Sequence, residues 1–227
     1  RPELDLAALA AWQSSRPSSP EPFELPAFTD GLLVTEGRVL GAGWAIESLG
    51  LELPELLPGA PANAELSGRF VQEGTELVFA GRLDADRAGL ASGLALAASG
   101  RLRSGDTDVP WQLALAGELD ATGEPLAFDI ESLQWRSESP LPDLTAAGRV
   151  EYGEALSLQL KGELPRWPAG WPALPEPMAS SDAAFGYSLG YDGPTDASGP
   201  LALQLRRDET VLDTTLVVPE LMAWLDA

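Results

Sequence analysis

The chain of 227 residues carries a formal net charge of −21, with 14 basic against 35 acidic side chains, and it contains neither His nor Cys. This balance excludes a nucleic-acid interface or a polybasic membrane patch, both of which need a positive surface. Without Cys there are no disulfides or thiolate metal sites, and without His the commonest general base and imidazole ligand are gone. A hydrophobic content of 44 % is enough to build one large all-β domain or two small ones.

Residues 2–12 read as a helix: Pro2 and Glu3 open it, an Ala-rich body follows, and Leu6, Leu9 and Trp12 fall near one face. Ser and Pro dominate the connection up to about residue 26. From there to residue 164 the pattern is β almost throughout. Leu77 and Phe79 alternate with Glu76 and Val78, Leu94 with Ala95 and Leu96 with Ala97. Trp111, Leu113 and Leu115 alternate with Gln112 and Ala114, and Leu158 and Leu160 with Gln159 and Lys161. Successive side chains on a strand point to opposite faces, so each segment has one apolar and one mostly polar face.

Inside these segments a small-Gly-Arg/Glu-aliphatic or Phe motif recurs, at Gly68-Arg69, Gly81-Arg82, Gly100-Arg101, Gly117-Glu118, Gly148-Arg149 and Gly162-Glu163. The glycine is in phase with the apolar face and the charge with the other. Glycines at one level in successive strands are expected to bend a sheet about one line. The irregular spacing of the copies argues against a solenoid and for an up-and-down meander with variable turns. A Pro-rich loop over 165–177 holds Trp167 and Trp171, whose expected role is to plug the open end of the sheet. Strands resume at 185–191, 201–206 and 211–218, and a second short helix is expected over 219–227, with Pro219, Glu220 and Leu221 at its start.

No catalytic constellation emerges. A Ser-His-Asp triad, a Cys nucleophile and a phosphate-binding Gly-Lys-Ser/Thr loop are all missing from the sequence. Carboxylates such as Asp84, Asp86, Asp106, Asp108 and Asp120 sit at turns and on polar faces, as solvated surface does, and Asp106-Thr107-Asp108 reads as a turn because no calcium-loop spacing follows it. The expectation is therefore a non-enzymatic protein with no cofactor and no metal. Two short helices cannot cover so many one-sided strands. The apolar face must fold onto itself as a sandwich or barrel, pack on a partner, or remain a groove for an apolar ligand.

The stretch Leu4-Asp5-Leu6-Ala7-Ala8-Leu9, the run Phe28 to Val34, the segment Gly41 to Leu53 and the Gly-Arg/Glu-Leu strands resemble the AsmA family and its TamB-like relatives of Gram-negative bacteria. That resemblance implies an extended curved antiparallel sheet in the periplasm, with short helices near its two ends. It also implies a role in cell-envelope and outer-membrane biogenesis, with phospholipid or another apolar ligand as partner. The groove would be lined by Leu77, Phe79, Leu94, Leu96, Trp111, Leu113, Leu115, Leu158 and Leu160. Inner-membrane anchoring would come from a segment outside residues 1–227, since no run here reaches the roughly 18 apolar residues of a spanning helix and the chain opens at Arg1 as a piece of a longer protein would. A second resemblance, to the N protein of the type II secretion machinery, implies instead that the same sheet and its edges make assembly contacts with secretion-system proteins.

Overall fold

The computed structural model describes residues 3–5, 27–41, 43–138, 141–153, 155–167, 173–174, 178–179, 183–194 and 199–218. They form one sheet of 13 strands in which spatial order equals chain order. The strands are β1 (Glu3–Asp5), β2 (Leu32–Gly41), β3 (Trp44–Leu53), β4 (Ala62–Gln72), β5 (Thr75–Ala85), β6 (Ala91–Ser104) and β7 (Thr107–Asp120), then β8 (Leu126–Ser137), β9 (Leu144–Tyr152), β10 (Ala155–Leu164), β11 (Phe185–Pro194), β12 (Gly199–Arg207) and β13 (Thr210–Val218). From β2 to β13 every neighbouring pair is antiparallel. The first and last strands do not meet, so the sheet is not a barrel.

The helix expected at the start of the chain is corrected at the residues that are described. Glu3–Asp5 is a strand, paired in parallel with Arg38, Val39 and Leu40 of β2. An edge strand supplies a row of unsatisfied N–H and C=O groups, and pairing with it outweighs the weak helix propensity of three residues. The remainder of that segment and the helix expected over 219–227 lie outside the described residues. The β segments read from alternation are present and longer than expected: β6 and β7 each extend over 14 residues.

Tight turns 41–44, 72–75, 104–107 and 207–210 join strands at one end of the sheet. Glu73 and Asp208, with φ of 38° and 52°, and Gly74 and Gly105, with φ of 82° and 55°, take the left-handed geometry that such two-residue connections require. The opposite end carries the 54–61, 86–90 and 121–125 loops. There the 54–61 and 86–90 loops clasp each other, Gly59 N–H donating to the Ala88 carbonyl at 2.7 Å and Ala88 N–H to the Ala60 carbonyl at 2.6 Å.

The motif glycines occupy the positions of closest approach between strands. A Cβ at Gly100 would overlap the Val78 carbonyl oxygen, one at Gly148 the Gln159 carbonyl oxygen, and one at Gly162 the Thr145 carbonyl oxygen. Aromatic rings cover several of the bare positions: Phe79 lies over Gly68, Phe128 over Gly117 and the Tyr187 hydroxyl by Gly162. The bends do not share one line, as the repeats led one to expect. Gly68 and Gly100 flank Phe79 in one cross-strand row, whereas Gly117 and Gly148 flank Ile130 in another, displaced along the strands. The offset is set by the regular pairing itself: on the unbroken β6–β7 ladder Gly100 stands opposite Trp111 and Gly117 opposite Leu94, and the bulges between Ala116 and Gly117 and between Ile130 and Leu133 come only on the strands beyond.

Gly100→Ala is expected to destabilise the fold by about 2–4 kcal/mol through backbone overlap. Gly190→Ala, also within a strand but with nothing within 4 Å of its Cβ, should be neutral or stabilising by up to about 1 kcal/mol. Urea unfolding of the two variants measures both.

Candidate functional site

Register decides which side chains share a face. Phe79 stands opposite Gly100, and Gly100 opposite Trp111. Leu83, Leu96, Leu115 and Leu133 form a cross-strand row over β5–β8. Leu160 pairs with Leu189, and Leu189 with Leu203. Followed strand by strand, one face of β3 to β13 is mainly apolar, with polar residues near the strand ends and Arg207 on β12. It holds all nine residues singled out from the sequence: Leu77, Phe79, Leu94, Leu96, Trp111, Leu113, Leu115, Leu158 and Leu160. Trp111 is buried at 5 % exposure, while the other eight remain half-buried. A lateral neighbour on each side shields a leucine in a sheet; full burial needs a second layer above it, and no strand layer covers these among the described residues.

The face is not uniform along the strands. Most of its buried side chains gather toward the tight-turn end, at Trp44, Val109, Trp111, Ala146, Leu164, Phe185 and Leu205, while Ile130 and Tyr191 are buried toward the other. Trp111 and Trp135 stack there with ring centroids 5.2 Å apart and planes at 4°. Toward the loop end the same face opens, and the paired Leu126 and Tyr152 are 40 % and 45 % exposed. An apolar pocket of about 270 Å³ lies beneath the clasped loops at that end, between Leu56, Ala64, Leu83, Ala88, Leu94 and Leu119.

The Pro-rich segment does cover part of the tight-turn end. Trp167 packs against Phe185 at 5.5 Å between ring centroids, and Met178 and Phe185 are completely buried. Trp171 lies outside the described residues. Arg207 fastens this segment to β12. Its Nε donates to the Ala183 carbonyl at 2.7 Å and its Nη1 to the Met178 carbonyl at 2.5 Å, and the guanidinium sits 4.2 Å above the Phe185 ring. Arg207 is the residue that sequence reading missed. It closes the alternation Leu201, Leu203, Leu205, so its phase with the apolar face was visible, but a terminal Arg-Arg pair reads as a polar turn.

The opposite face is charged and is laced by ion pairs. Arg38 meets Glu47 at 3.8 Å, Glu47 meets Arg69, Arg69 meets Glu76 at 3.9 Å, Glu76 meets Arg103 at 3.5 Å, and Asp108 joins Arg103 at 3.5 Å and Arg101 at 2.9 Å. The chain of pairs crosses every strand from β2 to β7. Arg149 likewise bridges Asp129 at 2.5 Å and Glu151 at 2.8 Å. Arg69, Arg101 and Arg149 of the Gly-Arg repeats thus join adjacent strands on the side away from the leucines, while Arg82 pairs with Asp84 of its own strand. Hydrogen bonding from Arg101, with its positive charge, holds the Asp108 carboxyl below its ordinary 3.8. Thr122 does the same for Asp120 through hydroxyl and backbone N–H donation. A concavity of about 630 Å³ is a shallow valley on this face, floored by Ala80, Ala97 and Ala114 and edged by Arg82, Gln112 and Arg136. Small side chains between long polar ones make such a valley on any pleated surface, and it brings together no converging reactive groups. Among the described residues no three acidic groups converge as a metal site would require.

The fold is that of an open, one-sided antiparallel meander, apolar on one face and ion-paired on the other. No protein-family model, no curated protein and no solved structure matches the chain. Among the described residues no helix is long and apolar enough to cross a membrane.

A depressed carboxyl stabilises the fold above its unfolded-state value, and that contribution disappears as pH falls through the folded value. Urea midpoints should therefore decline below 3.8, the ordinary Asp value. In Asp108→Asn the decline should be shallower, with a lower plateau at neutral pH; a pH series of urea melts measures both.

Proposed function

We propose that this protein is a non-enzymatic β-groove domain of the bacterial cell envelope that presents its apolar sheet face to phospholipid or another apolar ligand, for binding or for passage between membranes. The observation that carries the reading is the incompletely covered apolar face, whose leucines stay half-buried across β5–β10 while the sheet stays unclosed. Leaving that much hydrocarbon partly in water costs about 25 cal/mol per Å², and acyl chains recover it without needing specific hydrogen bonds. The open meander is also the architecture that the resemblance to AsmA-like and TamB-like proteins leads one to expect. That resemblance supplies the periplasmic location and the inner-membrane anchoring as parts of the same proposal.

A second reading, an assembly subunit akin to the type II secretion N protein, is favoured by one feature. The terminal strand β13 pairs only with β12 among named strands, contains neither Lys nor Pro, and leaves Val211 49 % and Val217 75 % exposed. Natural edge strands commonly carry such residues to prevent pairing with other chains. Under that reading the β13 amides gain exchange protection on binding a secretion component, and the leucine face stays unoccupied.

Photocrosslinking residues placed at Leu96 and Leu113 should capture phospholipid from cells, whereas the same probes at Ala97 and Gln112, one residue along on the charged face, should not. Equal capture from both faces, or none from either, would sink the lipid reading.

A further inference from the structure

The apolar pocket at the loop end is a built cavity and not a gap between neighbouring leucines. Its floor is the sheet, at the paired Ala62 and Ala85 and at Leu83 and Leu94, and its roof is the two clasped loops, which contribute Leu56 and Ala88. The roof is fixed from several sides besides the clasp itself. Phe28 N–H donates to the Leu56 carbonyl at 2.8 Å and Leu56 N–H to the Phe28 carbonyl at 3.0 Å, Gly93 N–H donates to the Asp86 carboxylate at 2.8 Å, and the buried Ser92 hydroxyl donates to the Arg87 carbonyl at 2.6 Å. Below it the face carries short side chains: β4 and β5 present Phe70 and Leu77 near their tight turn but Ala62, Ala64 and Ala85 here. The space left between is about 270 Å³, lined almost wholly by apolar atoms. Apolar cavities of roughly 150 Å³ stay dry and take up a molecule as large as benzene, and the lining of an unfilled one forfeits packing contacts.

The chemistry narrows the occupant. A polypeptide would bring backbone N–H and C=O groups into a space with almost no polar atom to receive them, and the Ser92 hydroxyl in its lining is already engaged. A hydrocarbon chain end carries no such groups. The pocket also runs into the proposed groove: Leu83 in its wall begins the cross-strand row that continues as Leu96, Leu115 and Leu133, and Leu94 lies two residues from Leu96 on β6. We propose that this pocket receives the methyl end of an acyl chain lying in the groove and so sets the chain length that the protein prefers. The proposal rests on the groove reading and adds to it an orientation and a length limit.

The experiment titrates a series of saturated lysophosphatidylcholines of increasing chain length, each below its micellar concentration, by calorimetry. Affinity should rise roughly 4-fold for each methylene up to the length that fills the pocket, and then level off. In Ala85→Leu, whose added carbons occupy the floor, the plateau should come roughly three methylenes earlier. Ala62→Leu, on the neighbouring strand, should do the same and serves if the first variant does not fold, whereas Ala97→Leu on the charged face should leave the profile as in the wild type. Amide exchange at Gly59 and Ala88, whose N–H groups make the clasp, should slow with chains that reach the plateau and not with shorter ones. A plateau unmoved in both filling variants, or clasp amides indifferent to the long chains, overturns the pocket and leaves the groove standing. Clasp protection that grows with protein concentration in the absence of lipid assigns the pocket to a second copy of the chain and also overturns the proposal. If no lysolipid of any length binds, the groove reading itself fails, and this proposal with it.

Discussion

A strand places its side chains alternately above and below the sheet, and here that alternation is carried through pairings that join only neighbours in sequence and never return to the start. A sandwich folds the apolar face onto a second layer, and a barrel turns it inward. An open meander does neither, so the leucines of β5–β10 are shielded sideways by one another and only partly from above. The buried tight-turn end, the exposed loop end and the clamped Arg207 are all features of a face defined by that one constraint.

The two faces solve different problems. On the apolar side, missing Cβ atoms at Gly100, Gly148 and Gly162 allow neighbouring carbonyls to come where a side chain would stand. Rings from Phe79, Phe128 and Tyr187 then restore some of the lost contact. On the other side, Glu47, Arg69, Glu76, Arg103 and Asp108 tie successive strands across the surface. Exposed ion pairs of this kind are individually weak. Their arrangement matters more than their strength, since alternating signs let like charges avoid one another in a strongly acidic chain and keep the apolar face free of charge up to Arg207.

Chemically, the described residues offer a broad hydrocarbon surface and, on that face, one clamped cation, Arg207, and they assemble no nucleophile with a base. Trp111 adds one further polar group to the apolar face: its indole N–H is buried without a hydrogen-bond partner among the described residues. Such a donor in apolar surroundings carries a desolvation penalty that a carbonyl acceptor would relieve. Surfaces of this composition discriminate by shape and by a few polar contacts, and the ends of the strands are where this one changes character.

Strand phase was legible in the sequence because it is local: Leu94 to Leu102 and Trp111 to Leu119 each declare their apolar side by period alone, and all nine proposed lining residues fall on one face because antiparallel pairing preserves that phase. Height along the sheet was not legible. It depends on the pairing register: Gly100 meets Trp111 while Gly117 meets Leu94, so glycines that the motif had placed together lie at different heights, and only the assembled ladder fixes that. The N-terminal segment went wrong for a related reason: Glu3–Asp5 becomes a strand because β2 offers an edge, and an edge is a property of the assembled sheet. By itself, then, the sequence determined an all-β meander with one greasy side and excluded thiol and imidazole chemistry. The tertiary structure decided that the sheet stays open and that Arg207, distant from Ala183 and Met178 in the chain, is clamped by their carbonyls on the apolar side, because closure and long-range contact follow from how strands stack and turn, which no local period encodes.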